Sequence, residues 1–188
     1  MSRMLLILAM LFLSSALAFA QGTSIATATP VPPTGSASSS MNDSFNTHYW
    51  KATTTANGYL RVQINSTGSV SNFDVDMSIY DVDGATYIAG DTQTGPYSEA
   101  FAFLKPGIYY IRAYRAGGTS GSYTITNTFT SPGRAVDSEP NDLPATALSL
   151  NPTGIATGYL GFYGSGTSDL DDYWKITTTQ DGWLRVQI

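Results

Sequence analysis

The chain predicts an all-β fold, an antiparallel sandwich followed by an incomplete second copy of the same unit. Three observations predict it. Apolar residues recur at every second position, which buries one face of a strand, and not at helical spacing. Turn-forming clusters punctuate those runs at short intervals. One block is written twice: Tyr49 to Ile64 reads YWKATTTANGYLRVQI and Tyr173 to Ile188 reads YWKITTTQDGWLRVQI, at an offset of 124. A repeat of this kind marks the structural unit.

Residues 1–20 read as a signal peptide, with Arg3 as the positive start, an apolar run from Met4 to Leu17, and Ala18-Phe19-Ala20 as the small-x-small cleavage site. The run is shorter than the ~20 residues a membrane span needs. Cleavage would leave a mature chain from Gln21 with no membrane segment. Ala26-Thr27-Ala28 and Pro33-Thr34-Gly35 match Ala145-Thr146-Ala147 and Pro152-Thr153-Gly154 at an offset of 119, so the first copy is five residues shorter before Tyr49. A complete unit is expected over 21–131, a linker over 132–136, and a truncated second repeat over 137–188. The second repeat is too short to bury a sandwich core of its own.

Within the complete unit, Leu60, Val62 and Ile64 point one way, and Tyr59, Arg61 and Gln63 the other. Further strands are expected at Val75–Tyr80, Tyr87–Ala89, Ala100–Leu104, Ile108–Tyr114 and Ser122–Phe129. Ala56-Asn57-Gly58, Asp81-Val82-Asp83-Gly84, Lys105-Pro106-Gly107 and Gly117-Gly118 supply the turns between them. Thr23 to Ser40, rich in Thr, Pro and Ser, is expected to be extended.

Composition narrows the functional classes. There is no cysteine, so no disulfide supports an exported domain, which favours a bacterial source. The net charge of −5 argues against nucleic acid and anionic membranes as partners. A single histidine, His48, leaves little material for a nucleophilic triad or a histidine metal site, and its place at a strand start reads as an ordinary edge residue. Asp74 and Asp76 share one strand face opposite Val75 and Met77, and read as a solvated face and not as a glycosidase pair. No nucleophile elbow, phosphate loop or dinucleotide fingerprint is present, so the chain is not expected to be an enzyme.

The order of several short motifs resembles a known family. Glu139-Pro140-Asn141-Asp142 precedes Asp172-Tyr173-Trp174 and a Gly-aromatic-Leu strand. The first copy adds Phe73 to Gly84, Pro106 to Arg112, and Gly121 to Ile125. Together they resemble the bacterial pre-peptidase C-terminal domain, related to the collagen-binding domains of clostridial collagenases. The resemblance implies a jelly-roll-like β-sandwich and a non-catalytic accessory module of a secreted or cell-surface protein, a peptidase among the options. It implies a spacer, stabiliser or weak adhesion unit, covalently linked to further domains.

It also implies calcium in the second repeat only, with Asp137, Glu139, Asn141, Asp142, Asp169 and Asp172 as ligands. Carboxylates and an amide carbonyl are the hard oxygen donors that calcium requires. In the first copy the matching positions are Ala20 to Thr23, with Thr47 and His48, so no calcium is expected there. Asp81-Val82-Asp83-Gly84 reads as a hairpin turn and not as a calcium loop. A second candidate is a surface on which Tyr110, Arg112 and Tyr114 face away from Tyr109, Ile111 and Ala113. Tyrosine and arginine are common interface anchors, and the resemblance to collagen-binding domains implies a collagen-like protein or a polysaccharide as the ligand class there. Trp50 and Trp174 occupy the same repeat position and are expected in a core.

Overall fold

The computed structural model describes residues 21–68, 72–131, 137–158, 160–161, 163–164 and 167–188. The signal-peptide reading of 1–20 and the linker reading of 132–136 lie outside the described residues. Among the described residues, thirteen strands follow in chain order. They are β1 (Thr29–Pro30), β2 (Gly35–Met41), β3 (Thr47–Thr54), β4 (Gly58–Gly68), β5 (Asp74–Tyr80), β6 (Tyr87–Asp91), β7 (Tyr97–Leu104), β8 (Gly107–Gly117), β9 (Gly121–Thr130), β10 (Leu148–Leu150), β11 (Tyr163–Gly164), β12 (Thr167–Ser168) and β13 (Trp174–Ile176).

Two sheets face each other, one in the order β1-β3-β8-β5-β6 and one in the order β12-β11-β7-β4-β9-β2. The long pairings, β3 with β8, β5 with β8, and β4 with both β7 and β9, are antiparallel. The fold is therefore the expected all-β sandwich. Its core takes Trp50, Ala52, Leu60, Val62 and Ile64 from β3 and β4, and Val75, Met77 and Ile79 from β5. Ala100, Ala102 and Leu104 join from β7, with Tyr109, Ile111, Ala113, Tyr123 and Ile125 from β8 and β9. Each fully buried Leu or Ile contributes about 2 kcal/mol of apolar transfer.

Two glycines are required by geometry. Gly84 closes the β5–β6 hairpin at φ 67°, a left-handed conformation costly for side chains. Asp83 Oδ1 accepts the amides of Ala85 and Thr86 at 2.9 and 2.8 Å, so this loop is the turn that its residues predict. Gly58 lies under Phe129, where an added Cβ would meet the ring at 2.3 Å.

The two copies share local structure at their aligned positions. The Tyr49 amide donates to Gly22 O at 2.8 Å, and the Tyr173 amide to Asn141 O at 3.0 Å. β1 runs parallel to β3 with Thr29 opposite Trp50, and β10 runs parallel to β13 with Leu148 opposite Trp174. The likeness ends at the twin strand. Gly58–Ile64 lies in β4, between β7 and β9, whereas Trp183, Leu184, Val186 and Ile188 are exposed. Trp50 is buried as expected, but Trp174 is only half-buried.

Candidate metal centre

The six acidic-segment residues converge although they come from two stretches of chain. Ligand oxygens of Asp137, Glu139 and Asp172 lie within 4.8 Å of one another, and so do those of Glu139, Asp142 and Asp169. Glu139 is common to both groups. Local turns aim the side chains. The Asn141 amide donates to Glu139 Oε2 at 3.2 Å, and Asn141 Nδ2 donates to Asp137 Oδ2 at 2.9 Å, which turns Asn141 Oδ1 the other way. Gly158 leaves room beside the carboxylates, where a Cβ would lie 2.5 Å from Asp172 Oδ2 and 2.8 Å from Asp137 Oδ2.

Burial makes the arrangement informative. Asn141 and Asp169 are 0% and 1% exposed. One oxygen each of Glu139, Asn141, Asp142 and Asp172, and both of Asp169, are buried without a hydrogen-bond partner. Buried anionic oxygens left bare are expensive, and a bound cation removes that cost. Burial, then the carboxylates of Glu139 and Asp172, push Asp169 up to about 7, with Lys105 pulling the other way. Asp172 is raised by burial and by its hydrogen bond to Asp137. The donor set is all oxygen and matches the six to eight ligands of calcium better than the N/S ligands of zinc.

The first sandwich supports this centre. β11 joins the edge of β7, with Tyr163 opposite Leu104. The carbonyl of Tyr163 accepts the Lys105 amide at 2.8 Å and the Tyr109 hydroxyl at 2.7 Å. The Gly161 amide then donates to Asp169 O at 2.5 Å, which ties the ligand to the docked hairpin. No sequence signal marks this support, because Tyr163 and Tyr109 are brought together only by the fold.

The tyrosine surface is also assembled. On β8, Tyr109, Ile111 and Ala113 are buried, and Tyr110, Arg112 and Tyr114 face out. Lys51 and Tyr80 flank Tyr110, Tyr49 and Ser78 flank Arg112, and Thr47 and Asp76 flank Tyr114. The Arg112 guanidinium carbon lies 4.9 Å from the centre of the Tyr114 ring.

Two expectations are corrected. His48 is not an ordinary edge residue: β3 runs between β1 and β8, and alternation puts His48 on its core side with Trp50, 2% exposed. Its Nδ1 lies 2.9 Å from the Tyr123 hydroxyl, which also accepts Trp50 Nε1–H at 2.9 Å. Burial lowers the His48 pKa and holds the ring neutral. Asp74 is not on a solvated face. It is 5% exposed with a bare Oδ1, because the β5–β8 register shifts between Asp74 and Val75 opposite Gly117. Burial, then Asp74 and Asp91, raise Asp76 beside it.

No family model and no curated protein matches the chain. Among solved structures, the chain is similar to the pre-peptidase C-terminal domain of collagenase from Bacillus anthracis, at 16% identity and a TM-score of 0.47. That match covers 54% of this chain and 94% of the other. PliG from Aeromonas hydrophila, a periplasmic inhibitor of g-type lysozyme, is similar at 16% identity and a TM-score of 0.36, over 54% of this chain and 96% of its own. The functional reading rests on the residues.

Proposed function

We propose that this chain is a non-catalytic, exported β-sandwich module of a larger extracellular protein, and that a calcium ion organises its second repeat against its first. The observation that carries the reading is the set of buried, unpartnered oxygens on Glu139, Asn141, Asp142, Asp169 and Asp172. Bound calcium would supply positive charge where these oxygens crowd, held by those residues with Asp137. The apolar leader favours export. The burial of His48, whose Nδ1 meets the Tyr123 hydroxyl that also accepts Trp50 Nε1–H, favours a structural role for the only imidazole. The test is calorimetric titration of calcium into the chelator-treated chain from Gln21 to Ile188. Saturable binding that raises the melting temperature is expected; no binding at millimolar calcium would remove the metal reading.

A second reading has its own support, the Tyr110, Arg112 and Tyr114 surface. Arg112 lies against the Tyr114 ring with its Nε bare, and Lys51 and Asp76 stand on neighbouring strands. Charged and phenolic groups in one patch suit an extracellular protein ligand of the collagen-like class. Loss of collagen co-sedimentation in Tyr110→Ala and Tyr114→Ala would support it; no sedimentation of the parent chain would exclude it.

A further inference from the structure

We infer that the outer face of the other sheet, carried by β7, β4, β9 and β2, is a binding surface for an uncharged polysaccharide. This goes beyond the calcium reading and involves none of its residues. β4 and β7 pair with Tyr59 opposite Phe103, Arg61 opposite Phe101, Gln63 opposite Glu99 and Asn65 opposite Tyr97. Leu60, Val62, Ile64, Ala100 and Ala102 are buried, so alternation turns the first set outward.

Phe101 and Phe103 are 50% and 44% exposed. Tyr59 stacks on Phe101 at 5.8 Å between ring centres and 20° between planes, and meets Phe103 at 5.2 Å. Unlike the tyrosines of the opposite sheet, these two phenylalanines have no hydroxyl to give to water. An exposed apolar cluster of this kind marks a partner site.

The rest of the face identifies the chemistry. Next to the rings, Arg61 pairs with Glu99, the Tyr97 hydroxyl donates to Glu99 Oε1 at 2.7 Å, and Gln63 Nε2 donates to the Tyr97 hydroxyl at 2.7 Å. The one cation and the one anion on the outward positions of these four strands therefore neutralise each other. Beyond them, β9 and β2 turn out hydroxyl rows, Thr124, Thr126 and Thr128 against Ser36 and Ser38, with Ser38 Oγ 2.9 Å from Thr124 Oγ1.

A pyranose chain presents apolar C–H faces bordered by hydroxyls, the counterpart of rings bordered by hydroxyls and amides. A neutral surface on a chain of net charge −5 gives an anionic polymer nothing to bind and an uncharged one nothing to desolvate at high cost. The polar groups are already cross-linked, so little side-chain freedom is lost on binding. Cross-strand pairing of Tyr59 with Phe103 also supports the sheet, and the experiment must separate that role from binding.

The test is depletion of the calcium-loaded chain from solution by insoluble chitin and by microcrystalline cellulose, at low and high salt, with collagen fibrils as the protein arm. Phe101→Thr/Phe103→Thr is compared with Tyr110→Ala/Tyr114→Ala, and each variant's melting temperature is recorded. Binding to at least one polysaccharide, indifferent to salt, is expected. It should weaken by about tenfold in the phenylalanine variant and hold in the tyrosine variant. Absence of polysaccharide binding, equal binding by both variants, or binding to collagen alone through this face would overturn the proposal. A lower melting temperature with unchanged binding would assign the rings to sheet stability.

Discussion

His48 and Asp172 hold the same place in the two copies, two residues before Trp50 and Trp174, and serve opposite ends. In the first copy the position is sealed: a buried imidazole bonded to the Tyr123 hydroxyl, which also takes the Trp50 N–H. In the second it is a carboxylate among carboxylates, with a bare oxygen and a raised pKa. The local frame is common to both, since the Tyr49 and Tyr173 amides bind the carbonyls of Gly22 and Asn141. One frame can therefore be closed by an internal hydrogen-bond network or left to be closed by a cation, and the choice depends on a few side chains.

The largest expected effect tests the cation half. Asp169→Ala should weaken calcium binding on the order of 100-fold in a calorimetric titration, at least what the loss of an outer partner costs a metal site. His48→Asp should create no second site, because Gly22 offers no side-chain oxygen where Asn141 does. A second calcium equivalent bound by that variant would break the comparison.

The sealed half predicts the next effect. Tyr123→Phe leaves the Trp50 N–H and His48 Nδ1 buried without their partner, and should cost about 2 kcal/mol in chemical denaturation. An unchanged midpoint would mean that the network adds nothing to the first copy.

The glycines separate the copies on packing. Gly58→Ala presses on the Phe129 ring and should cost about 1 kcal/mol, whereas Gly182→Ala, with nothing within 4 Å of its Cβ, should cost nothing measurable. Equal costs would show that the second copy packs its twin strand as the first does.

The smallest effect is in pH. A base whose folded-state pKa is lowered takes up its proton more readily once unfolded, so its contribution to stability is complete above the ordinary value of 6.5 and fades as pH falls through the folded one. This loss of stability on acidification should be absent from His48→Asn, read as melting temperature against pH. Equal acid sensitivity of variant and parent would move the cause away from His48.

Much of this was legible in the chain. Period-two runs and turn clusters placed strands between Gly58 and Thr130, and the repeat aligned residues whose backbone pairings recur in space, Thr29 with Trp50 and Leu148 with Trp174. The six candidate ligands were named from their resemblance to a motif order, and the structure brings the five carboxylates into two groups that share Glu139, with Asn141 bonded to Asp137. What was not legible depended on contacts distant along the chain. Alternation showed that His48 and Trp50 share a face but not that Tyr123, from another strand, would satisfy both. Nothing around Tyr163 predicts that its carbonyl takes hydrogen bonds from Lys105 and Tyr109 of the preceding unit.

The sequence by itself determined periodicity, turns and repetition, because these follow from backbone geometry within a few residues. Only the tertiary structure decided which alternate set faces in. In β7 the small Ala100 and Ala102 go inside and the bulky Phe101 and Phe103 go out, against the usual preference of their side chains. The core that Ala100 and Ala102 enter is shared with the large side chains of Trp50, Tyr109 and Tyr123, and close packing matches small side chains to large ones. Close packing is a property of the whole interior, so it set the face of β7, and the same long-range contacts gave the acidic cluster a sandwich to rest on.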